Sequence, residues 1–243
     1  MNMQLEELKK QIGEAERICF FTGAGVSTES GIPDFRSQNG LYRKNLEFSD
    51  VISTSFYRND PVLFWELFKE IFRVKLLHEY EPNSGHDFIA ELGQEKTVHV
   101  ITQNIDGLHQ KAGSKNVYEI HGTIKRAHCQ KCKNEFGLDF LNKAGLPSCT
   151  SCEEVLKPNV VLFGDSIHCF EEAVEVALQS DLFIVMGSSL QVTPINQIPL
   201  LVRKLGQIPM IIINKEPTHY DYVFDSQIYL PIGEVVTALR NEK

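Results

Sequence analysis

No apolar run in this 243-residue chain approaches the ~18–20 residues that a membrane-spanning helix needs. The opening residues, Met1-Asn2-Met3-Gln4-Leu5-Glu6-Glu7, lack the basic and apolar regions of a secretory leader. Basic charge is also short, with 24 Lys and Arg against 32 Asp and Glu and a formal net charge of −8. Nucleic-acid binders carry a basic footprint, so wrapping nucleic acid is excluded as the main task, and no membrane partner is expected. No internal repeat or low-complexity linker divides the chain. Its 42% hydrophobic and 23% charged residues are the balance of a folded protein, not a disordered one. Folding at this length buries about 70–75% of the unfolded surface, which makes disulfides unnecessary. A soluble, cytoplasmic monomer is the expectation.

Cysteine is scarce but patterned. Four of the six fall in two pairs, Cys129-x2-Cys132 and Cys149-x2-Cys152, with sixteen residues between the pairs. A two-residue gap lets two thiolates of one tight turn face one ion, and two such turns complete a tetrahedral zinc site. Four thiolates leave no open coordination position, so one structural Zn2+ is expected, supporting the fold and not the reaction. Cys19 lies in an apolar run as a small core residue. Cys169, beside His168 at an expected helix start, reads as a half-buried thiol.

Short β-branched runs alternate with helical periodicity, the pattern of an α/β fold with a parallel sheet. Strands are expected at 17–22, 97–102, 160–163, 181–187 and 209–214, with a weaker one at 227–230. Leu5, Leu8, Ile12 and Ala15 mark an opening helix, and Phe170, Ala173, Val174, Ala177 and Leu178 another. Asp60-Pro61 reads as an N-cap with proline at the first helical position, followed by a core face of Phe64, Leu67, Phe68, Ile71 and Phe72. A further helix runs from Asn83 to Leu92, stopped by Gly93. Two stretches, 37–79 and 124–159, interrupt the alternation and read as insertions into one nucleotide-binding sheet.

The first strand runs into Gly23-Ala24-Gly25-Val26-Ser27-Thr28. Glycines at a strand-to-helix turn let a phosphate approach the backbone N–H groups. Thr28 holds the place of the third glycine of the dinucleotide fingerprint, so this turn alone is a weak signal. It continues as Glu29-Ser30-Gly31-Ile32-Pro33-Asp34-Phe35-Arg36, and residues 23–36 resemble the signature of the sirtuin family, the NAD-dependent protein deacylases. Further matches follow in order: Thr102-Gln103-Asn104-Ile105-Asp106-Gly107-Leu108-His109, His121-Gly122, the cysteines, Lys157 through Asp165, Gly187-Ser188-Ser189-Leu190 and Ile213-Asn214.

The resemblance implies a Rossmann-like NAD-binding domain at 1–36, 80–123 and 160–243, a helical module at 37–79 and a zinc-binding module at 124–159. It implies acyl transfer from an acyl-lysine protein to ADP-ribose derived from NAD, with release of nicotinamide. His121 is the implied catalytic base, histidine being the side chain best tuned for that task near neutral pH. Asn104 would orient the ribose or a water, Asp106 with Ile105 would hold the nicotinamide carboxamide, and Gln103 would bond the ribose. Phe35 would shield the reacting centre, and Ser27 and Arg36 would contact ribose or diphosphate. Gly23, Ala24, Gly25 and Thr28 would lie against the cofactor. Gly187, Ser188, Ser189 and Asn214 would serve the adenosine half, with Ile232 against adenine. The substrate peptide would pair as a strand between Gly164-Asp165 and Gln191-Val192, with Val160 and Phe163 walling the lysine tunnel. His86, His99 and His109 read as structural.

Lys157 stands where the family more often has Arg, Asp165 where Glu is usual, and Ser188 where Thr is commoner. Phe68-Lys69-Glu70-Ile71-Phe72-Arg73 lacks the tyrosine three residues before an arginine found in relatives that remove acidic acyl groups, which favours a neutral acyl group such as acetyl. Two other readings compete: an ADP-ribosyltransferase on the same scaffold, and a non-enzymatic zinc-ribbon or NAD-sensing module.

Overall fold

The computed structural model describes residues 2–32, 48–72, 79–143, 145–167 and 169–241. Phe35, Arg36, Arg73 and His168 lie outside them.

A six-stranded parallel sheet is built from β1 (Arg17–Thr22), β2 (Thr97–Thr102), β3 (Asn116–Glu119), β7 (Leu182–Met186), β8 (Met210–Asn214) and β9 (Ser226–Tyr229). Its spatial order is β3-β2-β1-β7-β8-β9, so the direction of winding reverses between β1 and β7. Strand periodicity sends alternate side chains to opposite faces, and both are covered. Ile18, Phe20, Ile184 and Ile211 pack on one side with Leu8 of α1 (Asn2–Glu14), Ile89 of α5 (Ser84–Glu95) and Val235 of α10 (Ile232–Asn241). Cys19, Phe21, Phe183 and Ile212 pack on the other with Ala173 of α8 (Phe170–Leu178) and Ile198 of α9 (Gln197–Leu205).

The second sheet is antiparallel, with order β5-β4-β6 for β4 (Gly122–His128), β5 (Glu135–Gly137) and β6 (Lys157–Val160). This corrects the expected strand at 160–163. The strand ends at Val160 and pairs with β4, outside the parallel sheet. Both the helices α2 (Phe48–Val51), α3 (Thr54–Asn59) and α4 (Pro61–Ile71) and the cysteine segment, with α7 (Leu138–Lys143), feed one core. Trp65 Nε1 donates to the Leu156 carbonyl at 2.9 Å, and the Tyr57 hydroxyl to that of Val155 at 3.1 Å. The two insertions therefore share one hydrophobic interior. Asp60 caps α4 as read, its side chain accepting from Leu63 N at 3.0 Å. Gly93 does not stop α5, which runs to Glu95. A helical glycine costs only about 1 kcal/mol against alanine, and the buried face of α5 outweighs that.

Candidate active site

Open parallel sheets bind ligands beyond the carboxyl ends of their strands, at the point where strand order reverses. Here that point lies between β1 and β7, and the Gly23–Gly25 turn sits on it. Gly23 N donates to the Met186 carbonyl at 3.3 Å and Gly25 N to the Gly187 carbonyl at 2.8 Å. A Cβ on Gly25 would fall 2.7 Å from Gly187 Cα, and Gly187 itself has φ +67°. Both positions need glycine because two backbones touch there. Leu190, in the same loop after β7, also adopts a left-handed φ of 54°.

Around this crossing a buried polar network closes. Asn104 Nδ2 donates to the Gly23 carbonyl and to Ser27 Oγ, both at 3.1 Å. Ser27 Oγ donates to Asp106 Oδ2 at 2.7 Å, and Asp106 Oδ1 accepts at 2.9 Å from the N–H of Leu108, the first residue of α6 (Leu108–Ala112). His86 completes the set. Its Nδ1 accepts from Asn83 N at 3.3 Å, which leaves the proton on Nε2, 3.4 Å from Ser27 Oγ. With His86 and Asn104 both donating to it, the Ser27 hydroxyl has its own proton directed to Asp106. His109 Nε2 lies 3.0 Å from Thr22 Oγ1, which bonds Thr102 Oγ1 at 2.9 Å and so ties the ends of β1 and β2 together. Burial, with the neighbouring His86, pushes the His109 pKa down to about 3; the two rings lie 4.8 Å apart. Both histidines are buried and neutral, as the structural reading expects, but His86 reaches the network where Ser27 and Asp106 meet.

His121 stands at the other side of the 103–108 loop, just before β4. Its Nδ1 lies 2.9 Å from the Gln103 carbonyl. A carbonyl only accepts, so Nδ1 carries the proton and the Nε2 lone pair is free. Burial lowers the His121 pKa, partly offset by that backbone bond, which keeps the ring a neutral base near pH 7. Gln103 Nε2 donates to Ser188 Oγ at 2.7 Å, and Asn214 Nδ2 to the Ser188 carbonyl at 2.8 Å. The ends of β2, β7 and β8 are thereby laced together along one edge of the sheet.

Of the remaining candidates, Ala24, Ile105 and Ser189 are half-buried and Thr28 is exposed. Ile232 is buried, and its Cγ2 would lie 2.8 Å from a Cβ placed on Gly85. Val160 is buried, whereas Phe163 is 51% exposed and Val192 41% exposed. Gly164 and Gln191 are exposed and Asp165 is half-buried.

The four cysteines converge as their spacing requires. All their sulfurs lie within 4.8 Å of one another, with Cys129–Cys152 and Cys132–Cys149 at 3.4 Å. A tetrahedron with Zn–S bonds of about 2.3 Å has sulfurs about 3.8 Å apart, so the set fits zinc after slight expansion. The two turns are built alike. Lys133 N donates to the Cys129 carbonyl at 3.0 Å and Glu153 N to that of Cys149 at 2.9 Å, and Lys133 and Glu153 both have positive φ, 65° and 61°.

A switch-point crevice of this make, beside a four-cysteine module, defines a Rossmann-like nucleotide-binding protein with a structural metal centre. Residues 23–194 match the Sir2 family. The chain is 45% identical over 238 residues to the NAD-dependent protein deacetylase of Chromobacterium violaceum, covering 98% of this chain and 97% of that one. It is 46% identical over 241 residues to NAD-dependent protein deacetylase 2 of Geobacillus kaustophilus, covering 98% of each. A solved Sir2 enzyme superposes with a TM-score of 0.85 at 38% identity, over 98% of this chain and 97% of that one. A solved complex of Sir2 with a p53 peptide and NAD+ gives 0.83 at 32%, over 96% and 95%. The chain belongs to the Sir2 family.

Proposed function

We propose that this chain is an NAD-dependent protein-lysine deacetylase that moves the acyl group from lysine to ADP-ribose and releases nicotinamide. The observation that carries the reading is the neutral His121 pinned through Nδ1, with Nε2 left as a base beside the Gln103–Asp106 loop. NAD, when bound, supplies the ribose carbon that is attacked and the hydroxyl that takes up the acyl group. His121 removes the proton of that ribose. Asn104 spends its amide N–H groups on Gly23 and Ser27, leaving Oδ1 to accept from a ribose hydroxyl or water. Asp106 is held by Ser27 and Leu108 and keeps lone pairs for the nicotinamide carboxamide, with Ile105 beside it. Gln103 serves the ribose, the Gly23–Thr28 turn the diphosphate, and Gly187 through Ser189 with Asn214 the adenosine half. The close backbone crossing of Gly25 on Gly187 supports that placement. Phe35 and Arg36 keep the roles their motif implies.

The exposed Gly164, with half-buried Asp165 beside it, and the exposed pair Gln191-Val192 suit backbone pairing with an acyl-lysine peptide, which gives affinity with little sequence demand. The three-part division into a nucleotide-binding domain, a helical module and a zinc module is retained, the last two on a common core. Among the described residues no helix is long and apolar enough to cross a membrane. A cytoplasmic location accords with reduced cysteines held for a metal. The relatives' names speak for deacetylation over ADP-ribosyl transfer, and the joined His121 and Asn104 sites over a non-enzymatic module.

Mass spectrometry of products from NAD with acetyl-, succinyl- and long-chain acyl-lysine peptides tests the reading. Acylated ADP-ribose and free nicotinamide should appear only with an acyl peptide, the acetyl one preferred. His121→Ala should lower turnover by about 10²–10⁴-fold, the usual worth of a general base. Labelled NAD appearing covalently on protein without an acyl peptide would overturn it. In the wild type, kcat/KM should climb with pH to a plateau, with the midpoint of the rise below pH ~6.5, since burial holds the His121 pKa under the ordinary histidine value.

A further inference from the structure

One carboxylate fastens the loop that follows β6. Asp165 Oδ2 accepts from Lys157 Nζ at 2.6 Å and from Leu162 N at 3.0 Å, while Oδ1 accepts from Thr54 Oγ1 at 2.8 Å. The donors come from three places: the first residue of β6, the loop itself and the first residue of α3. The ion pair is largely out of water, with Lys157 and Asp165 side chains 13% and 18% exposed. Burial pushes the Asp165 carboxyl up, but the bonds from Lys157, Leu162 and Thr54 outweigh it and hold it below its ordinary value. The surrounding backbone is paired as well. Phe163 N donates to the Ile52 carbonyl at 2.9 Å and Thr54 N to the Phe163 carbonyl at 3.0 Å. Phe163 thus spends its main chain inward on the α2–α3 junction while its ring stands in solvent. Gly164, with φ +97°, then turns the chain along an exposed edge.

A single bond to such a loop would leave a hinge. Three bonds to both oxygens of one carboxylate fix its position and its rotation together. Lys157 and Asp165, two of the positions at which the sequence departs from the commoner sirtuin wording, are partners here. A shorter acid faces a different base, and the pair still closes at 2.6 Å.

We propose that Lys157, Asp165 and Thr54 form a latch that positions the exposed Gly164 backbone for pairing with the acyl-lysine strand, with the Asp165 side chain acting through its inward bonds and not by touching peptide. The inference rests on the deacetylase reading and adds a division of labour to it. The latch sets the peptide side of the cleft, and the Gly23–Gly187 crossing sets the nucleotide side.

Steady-state kinetics on the full chain, with KM for an acetyl-lysine peptide and for NAD measured separately, tests this. Asp165→Asn should raise the peptide KM about tenfold, as expected for losing a charge-assisted bond, with the NAD KM within about twofold. Thr54→Val, which leaves the ion pair intact, should raise it about two- to threefold. Lys157→Met should raise it like Asp165→Asn, and Lys157→Arg should rescue it. Thermal unfolding and zinc content accompany each variant; if Asp165→Asn does not fold, Thr54→Val and the Lys157 pair decide. An unchanged peptide KM in folded variants, or equal rises for peptide and NAD, would overturn the latch. Those results leave wild-type deacetylation standing, whereas a wild type that makes no acylated ADP-ribose sinks the underlying reading instead.

Discussion

In the parallel sheet, β7 and β8 bury every residue, and β1 exposes only its first. In the antiparallel sheet, β5 exposes two of its three residues, and the interior of its module includes Cys129 and Cys149. The first region has enough apolar surface to hold together by burial, at about 25 cal/mol per Å². The second is small, polar and turn-rich, and cannot close a core without help. Metal ligation substitutes for area there, and the shared contact with Phe64, Trp65 and Phe68 supplies the rest. The site hangs between the two: the crossing of β1 on β7 belongs to the rigid sheet, and the peptide-side loop leaves the metal-dependent one.

The strongest way to break the comparison is to remove the metal. Structural zinc sites of this kind carry about 10–16 kcal/mol of apparent binding free energy coupled to folding. Cys129→Ser, or a strong chelator, should therefore release one zinc per chain and unfold the antiparallel module. Trp65 is the chain's single tryptophan and donates to Leu156 at the edge of that module. Its fluorescence should shift to the red as zinc leaves; a zinc-free protein with unchanged emission and full stability would contradict the structural role.

The converse cut is Phe20→Ala in the middle of β1, where the ring is fully buried. Large-to-small core changes of this type cost about 3–5 kcal/mol. Urea denaturation should show that loss, while metal analysis still finds one zinc per chain. A fall in zinc content in the folded state would show that the two regions are not separately held.

The most gradual effect, small over any one pH unit, is in acid. The folded-state pKa of His109 lies at about 3, below the ~6.5 of an unfolded chain. The unfolded state therefore binds the extra proton between those values. The stabilisation is complete above pH 6.5 and falls as pH drops toward 3, at up to about 1.4 kcal/mol per pH unit. His109→Gln should flatten the stability–pH profile across that window, with the zinc ligands and His121 untouched. An identical slope in the variant would assign the acid sensitivity elsewhere.

Much of this was legible in the sequence. The apolar runs of β1, β7 and β8 announce buried parallel strands because both faces are covered and no polar position interrupts them, and β2 keeps the pattern apart from half-buried His99. The cysteine spacing announces a metal because the geometry of a thiolate turn is local. β3 was not legible: Asn116–Glu119 is half-exposed and polar, and is a strand only because β2 offers its edge. The segment 160–163 misled for the opposite reason. Val160 and Leu162 are apolar because they line the shared core, not because they continue a strand of the parallel sheet. His86 carries a local signal only as a helix-start residue, since its meeting with Ser27 and Asp106 spans 59 residues between the first two.

By itself the sequence determined the alternation of elements, the metal ligands, the glycine turn and the family to which the chain belongs. These depend on residue type at short, fixed separations, where chain geometry leaves little choice. Tertiary structure alone decided which polar groups share a proton, which carbonyl fixes the tautomer of His121, and that Lys157, Asp165 and Thr54 meet in one place. Those facts depend on loops from different elements arriving within hydrogen-bond distance. Hydrogen bonds lose their worth over tenths of an ångström, and only the packed fold sets distances that finely.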